Sequence, residues 1–184
     1  AAEVDRVIGA IGPETRYVTV GEEHGDAFLE GDQLLPVFFG GAKIASQLLE
    51  DPRLEGRVGL VALELDGALQ SELDAAIDRY RRTDGIDDDG VREALLRRGI
   101  RGALNNSTPD GQRVVADRAP TVRTYQAVRV SSDVRNLEAL IVEAARSNIP
   151  IAQIDRNDFA DGRPRDAVMY EAIREREAEG KLTL

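Results

Sequence analysis

The sequence contains no cysteine, a single histidine and few aromatic residues, which make up 4% of its 184 positions. Without cysteine the chain can form no disulfide framework, no thiolate zinc site and no cysteine nucleophile. It also has no apolar run approaching the roughly 20 residues that a membrane-spanning helix needs. These absences exclude disulfide scaffolds and thiol enzymes. They leave the compartment open, because a cysteine-free chain folds in either redox environment.

Basic residues are outnumbered by acidic ones. The chain has 24 Lys and Arg against 34 Asp and Glu, which gives a formal net charge of −10. Nucleic-acid-binding proteins use basic side chains to neutralise phosphates, so this balance argues against a nucleic-acid partner. Hydrophobic residues account for 42% of the sequence. This length and composition are typical of one domain with a sizeable core, so we expect a single domain over residues 1–184.

Strand-like and helix-like patterns alternate along the chain. The run from Val58 to Leu65 is nearly continuously apolar, as in a strand that is covered on both faces. Strands that are separated by helices predict a parallel sheet. The predicted class is therefore α/β, with a mainly parallel central sheet flanked by helices and an irregular insertion around residues 100–130. The predicted strands are 16–20, 58–65, 149–155 and 181–184, and the predicted helices are 4–11, 32–50, 69–80, 91–98, 131–145 and 164–179.

Polar residues follow the ends of these predicted strands. His24, the single histidine, comes after the first strand together with Glu22, and Glu64 closes the second strand. Ligands of open α/β sheets bind outside the carboxyl ends of the strands, which share one edge when the strands are parallel. We therefore expect Glu22, His24 and Glu64 to form one network at this edge. The plainer interpretation is a solvated turn around His24 and a strand end that reaches water at Glu64.

We expect a binding partner for Glu64 and an acidic partner for the arginines at the start of the last predicted helix. A carboxylate that closes an apolar strand costs several kcal/mol if it is buried unpaired, so Glu64 needs an arginine, a proton or a metal. Arg163 and Arg165 stand where a cation opposes the helix dipole, so a nearby acidic group would explain them better than solvent exposure alone. Asp155, which ends the third predicted strand, lies at the same edge.

These residues favour hydrolysis by an activated water. An imidazole with an ordinary pKa near 6.5 suits proton transfer at neutral pH, so His24 is the candidate general base, oriented by Glu22 or Glu64. Arg165, or else Arg163, would stabilise an oxyanion or anchor an acidic substrate group, and a divalent cation bound by carboxylates could assist. No Gly-x-Ser-x-Gly elbow, Gly-x-Gly-x-x-Gly turn or P-loop occurs, which argues against a serine nucleophile and against nucleotide binding by those motifs.

The order of four short motifs resembles the superfamily that unites TraB/TIKI proteins, haem-binding ChaN-like proteins and erythromycin esterases. Gly-Glu-Glu-His at 21–24 is similar to its first Gly-x-x-His motif, and Val-Ala-Leu-Glu at 61–64 to its second-strand glutamate. Ile-Pro-Ile-Ala at 149–152 and Arg-Asp-Ala-Val-Met at 165–169 follow in the same order. The resemblance covers most of the chain except about residues 100–130.

The resemblance implies a hydrolase of the esterase or metal-assisted peptidase type, acting on a small molecule or a peptide. It implies catalytic roles for His24, Glu22, Glu64 and Arg165. His24, Glu22 and Glu64 would also be the ligands of a divalent metal such as Mn, Co or Zn. The ChaN-like branch implies haem as an alternative cofactor, against which the small aromatic content counts.

One departure from the family pattern leaves a second interpretation open. The family places another Gly-x-x-His after the strand that follows the Arg-Asp helix, whereas the printed sequence ends at Leu184 within that strand. Either the domain continues beyond Leu184 as part of a larger polypeptide, or the second half of the site is missing. The alternative function is therefore a non-catalytic module that binds haem or a small ligand, or an interaction domain of a larger protein such as a multidomain toxin.

Overall fold

The computed structural model describes residues 2–21, 29–30, 33–34, 40–83, 132–155 and 162–184. Within these ranges, single 3₁₀ turns also occur at Pro52–Leu54 and Gly67–Leu69. The predicted helix at 91–98 and the predicted insertion around 100–130 lie outside the described residues. The helices are α1 (Ala2–Ala10), α2 (Gly40–Glu50), α3 (Gln70–Arg82), α4 (Ser132–Arg146) and α5 (Arg165–Arg174), and the strands are β1 (Leu29–Glu30), β2 (Gln33–Leu34), β3 (Val58–Asp66), β4 (Ile151–Asp155) and β5 (Leu182–Thr183).

The central sheet is parallel, as the sequence predicts. Its strand order is β4-β3-β5, and β3 pairs in parallel with both neighbours. The small pair β1 and β2 is antiparallel. Because β3, β4 and β5 run in one direction, their carboxyl ends lie at a common edge of the sheet. This α/β arrangement brings the end of β3, which contains Glu64, next to the end of β4, which contains Asp155.

Helices cover both faces of the sheet. On one face, apolar side chains of α2, α3 and α4 pack against alternate residues of β3, among them Val61 and Leu65. On the other face, α5 packs against Leu60 of β3 and Ala152 of β4. This double coverage explains why the sequence of β3 is almost continuously apolar: both of its faces are buried.

The free edge of β4 is covered by a glutamine side chain. The Gln70 amide nitrogen donates to the carbonyl oxygen of Ile151 at 2.8 Å, and its amide oxygen accepts from the backbone N–H of Gln153 at 2.6 Å. The side chain thus makes the contacts that a neighbouring strand would make. Satisfying an edge in this way leaves fewer unpaired groups available for pairing with another chain.

The predicted strand at 16–20 and the predicted helix at 32–50 are corrected. At 16–20 the structure has an isolated parallel bridge between Tyr17 and Thr183, with backbone hydrogen bonds from the Val18 N–H to the Thr183 carbonyl and from the Thr183 N–H to the Arg16 carbonyl. At 33–34 the chain is in strand β2, and the helix begins only at Gly40. The Gly40-Gly41 pair stands at the start of α2.

The last helix is shorter than its pattern predicts. It ends at Arg174, and a loop with a left-handed turn at Gly180 (φ 74°) leads to β5. This loop passes directly over β3. A Cβ placed on Gly59 would lie 2.8 Å from the Cβ atoms of both Ala178 and Lys181. Only glycine leaves room for the loop at this point, because contacts this short do not occur between real side chains.

The close approach at Gly59 predicts that Gly59→Ala destabilises the protein by about 1–3 kcal/mol, the usual cost of overpacking. The measurement is urea unfolding followed by circular dichroism. Gly9→Ala is the matched control: it lies in α1 with no atom within 4 Å of the added Cβ. Removing a helical glycine there should stabilise by about 0.5–1 kcal/mol. Equal effects of the two substitutions would contradict the close approach.

Candidate functional site

Arg165 joins three elements at the carboxyl edge of the sheet. Its Nε donates to Asp155 Oδ1 at 2.9 Å and its Nη2 to Asp155 Oδ2 at 2.7 Å, which is a two-pronged contact between the first residue of α5 and the last residue of β4. The same Nη2 donates to Oε1 of Glu64 on β3. A guanidinium suits this position because its planar fork matches the carboxylate geometry.

The three charged groups differ in their exposure. The Asp155 side chain is 5% exposed, whereas the side chains of Arg165 and Glu64 are 44% and 35% exposed. The hydrogen bonds that Arg165 donates to Asp155 raise the pKa of Arg165 above its ordinary value, and Glu64 adds to the effect. The cation therefore stays charged at the start of α5. The two carboxylates offset its unfavourable position in the helix dipole.

The structure brings two of the predicted site residues together. Glu64 and Arg165 are in direct contact, and the expectation that Arg165 needs an acidic partner is confirmed. Arg163 pairs with Glu171 at 2.5 Å on the exposed surface of α5. Glu22 and His24 lie outside the described residues, so their roles stay predictions. Asp155 also belongs to this network, although it is not among the predicted site residues. Its position at the end of a strand is the signal that could have assigned it to the site.

A cavity of about 480 Å³ lies beside this ion-pair network. Residues 61–65 of β3, including Glu64, form one wall, and residues 17–21 form another. The space lies directly beyond Leu184, in line with β5 and between the two segments that pair with β5. Helices from both faces of the sheet complete the wall with apolar side chains, namely Ala42, Ala45, Leu137, Leu140, Met169 and Ile173.

Tyr17 in the cavity wall is held by a second polar cluster. Its hydroxyl donates to Glu177 Oε2 at 2.6 Å, and Arg174 pairs with Glu177 Oε1 at 2.6 Å. The hydrogen bond to Glu177 raises the pKa of Tyr17, so the phenol stays neutral at physiological pH. The carboxylate of Glu177 thus fixes the ring of Tyr17 at the side of the cavity formed by residues 17–21.

Comparisons with protein-family models, curated proteins and solved structures find no match for this chain. In the part of the chain that the structure describes, no helix is long and apolar enough to cross a membrane. The same part holds no group of three or more His, Asp or Glu side chains arranged to bind a metal. The site must therefore be interpreted from its own residues.

The arrangement holds one carboxylate at the carboxyl edge of the sheet. The Arg165 guanidinium donates to Glu64 and so orients its side chain. A carboxylate that is fixed in this way can accept a hydrogen bond from an imidazole or a substrate N–H or O–H. Asp155 contributes indirectly to the position of Glu64, because it fixes the orientation of Arg165.

The two-pronged contact predicts that Arg165→Met lowers the free energy of unfolding at pH 7 by about 1–3 kcal/mol. Removing one partner of a buried ion pair costs several kcal/mol, and the partial exposure of Arg165 reduces that cost. Urea unfolding gives the value. The matched control is Arg163→Met, which removes an exposed arginine two residues away and should cost less than about 1 kcal/mol. An equal loss of unfolding free energy in the two variants would show that the burial of Asp155 does not increase the cost of removing its arginine partner.

Proposed function

We propose that the protein is a hydrolase that cleaves an ester or an amide at the carboxyl edge of the sheet. The observation that carries the proposal is the position of Glu64: its carboxylate lies at the carboxyl edge of the sheet and accepts a hydrogen bond from Arg165, which Asp155 holds in turn. Carboxyl edges of parallel sheets are where α/β proteins bind their ligands.

His24 is the proposed general base. It is the third residue after Gly21, which belongs to the cavity wall, and it carries the only imidazole in the sequence. A neutral imidazole takes a proton from water as the water attacks the carbonyl carbon and returns it to the leaving group. Glu64 would accept a hydrogen bond from the other ring nitrogen and so hold the tautomer that the reaction needs, with Glu22 as the alternative partner.

Arg165 would act through Glu64. Its Nε and Nη2 donate to two carboxylates, which supports a positioning role. A lysine at this position keeps the charge but cannot make the two-pronged contact with Asp155. The orientation of Glu64, and through it the orientation of His24, would then be lost.

The network disfavours a divalent metal at Glu64. The predicted ligands of Mn, Co or Zn are His24, Glu22 and Glu64, and an imidazole with two carboxylates is a reasonable donor set for such ions. However, the Arg165 cation already contacts Glu64, and a dication at the same carboxylate would be repelled by it. We therefore propose hydrolysis through His24 without a metal at this carboxylate.

The proposal predicts that His24→Ala lowers kcat/KM by about 10²–10⁴-fold, the usual contribution of a positioned acid–base group. Glu64→Gln should cause a comparable loss with little change in stability, because it keeps the shape and removes the charge. Arg165→Lys should also be costly. The measurement is turnover of ester and peptide libraries with EDTA and with added Mn²⁺, Co²⁺ or Zn²⁺.

The control for this experiment is Glu171→Gln, which removes an exposed carboxylate that pairs with Arg163 and should keep wild-type turnover. Wild-type turnover by His24→Ala would show that His24 is not the base. Turnover that appears only with added metal would contradict the metal-free proposal.

The second candidate is a non-catalytic module that binds a small ligand or haem, and it is favoured by the resemblance to haem-binding ChaN-like proteins. Haem has a direct test, because an axial histidine gives a sharp Soret band on titration. A band that His24→Ala abolishes, in a protein without turnover, would favour the binding module over the hydrolase.

A further inference from the structure

The strand β5 leads into a gap in the sheet. It lies between β3 and the segment that contains Tyr17, and it pairs in parallel with both of them. Beyond the last backbone hydrogen bonds of Leu184, residues 18–20 and residues 62–64 line the same space from opposite sides. Because one strand already fits between these segments at β5, the space is also about the width of one strand. We call the space between residues 18–20 and 62–64 the strand gap.

The backbone groups that face the strand gap are those that a parallel ladder would use next. The Val18 N–H donates to the Thr183 carbonyl, and the Ala62 N–H donates to the Leu184 carbonyl. The next groups in these two rows are the Val18 carbonyl, the Val20 N–H and the Ala62 carbonyl. Within the described part of the chain these three groups make no backbone hydrogen bond. Backbone groups away from water are almost always paired, and a strand in the gap would pair all three.

Side chains from both faces of the sheet lie over the strand gap. Leu137 and Leu140 of α4 line it from one face, and Met169 and Ile173 of α5 line it from the other. The same two layers cover β3, which is almost continuously apolar because both of its faces are buried. A strand in the gap would be buried in the same way, so its side chains should be apolar in both directions.

From the direction of β5 and the backbone groups ahead of it, we infer that the strand gap holds a further stretch of β-strand, which continues β5 within the same chain and pairs in parallel with residues 18–20 and with β3. A continuation of β5 reaches these groups without a loop, whereas a separate peptide would lose its freedom of motion on binding. Leu60 pairs with Thr183, and Glu64 lies four residues after Leu60, so the third residue after Leu184 would stand level with Glu64.

The pairing is independent of the proposed hydrolysis, because it concerns backbone hydrogen bonds and not the reaction. It does limit where a substrate can lie. With the strand gap filled by chain, a substrate would bind outside the strand ends, beside Glu64, and the residues that follow the added strand would form part of its surroundings.

Hydrogen exchange at single backbone amides, followed by NMR, tests the inference. The chain is extended after Leu184 by Val-Ile-Val and a flexible Ser-Gly-Ser tail. The Val20 N–H should then exchange at least about tenfold more slowly than in the 184-residue chain, because it gains a hydrogen-bond acceptor in the gap. The first added valine should also show nuclear Overhauser contacts to Val20. The Thr19 N–H is the internal control, since it points away from β5 and its exchange should be unchanged.

The matched control chain carries Asp-Pro-Asp before the same tail. Its charges would be buried without partners, and its proline has no N–H for the Ala62 carbonyl, so it should not slow exchange at Val20. Unchanged exchange at Val20 with the Val-Ile-Val extension, or equal slowing with both extensions, would overturn the inference.

Two further outcomes would assign the strand gap to another occupant. Protection of the Val20 N–H that rises with protein concentration in the 184-residue chain would show that a second copy fills the gap. Protection by a separate Ser-Val-Ile-Val-Ser peptide that equals protection by the fused extension would show that continuity with β5 gives no advantage. Either result would contradict a strand supplied by the same chain.

Discussion

The two-pronged contact between Arg165 and Asp155 determines how the carboxyl edge of the sheet is built. Asp155 ends β4 as a buried carboxylate, and a buried carboxylate requires a cation close to it. Arg165, the first residue of α5, supplies that cation and so fixes where α5 begins relative to the sheet. Because the same guanidinium also contacts Glu64, the end of β3 is tied to the same point.

The position of Glu64 depends on this connection. The parallel sheet brings the strand ends to one edge, and helices on both faces supply apolar side chains around them. Arg165 sets the orientation of Glu64 at this edge. A carboxylate positioned in this way is the property from which we derive the proposed hydrolysis.

Much of this fold could be predicted from the sequence, because the period and the length of apolar runs record which faces are buried. Val58 to Leu65 predicted β3 within one residue, and the strand-end position of Glu64 predicted its need for a partner. The start of α2 at Gly40 was missed, because its apolar spacing continues into residues that pair as β2. The roles of Glu22 and His24 stay predictions.

A double-mutant cycle on Arg165 and Asp155 tests the central claim most directly. The unfolding free energies of Arg165→Met, Asp155→Asn and the double variant are compared with that of the wild type in urea. Since the two side chains form one contact, their coupling energy should be at least about 1 kcal/mol. The double variant should then lose less unfolding free energy than the two single variants lose together. If the two single losses add up to the loss of the double variant within about 0.3–0.5 kcal/mol, the account is contradicted. Additive losses would show that Arg165 and Asp155 act independently and do not hold Glu64 as one unit.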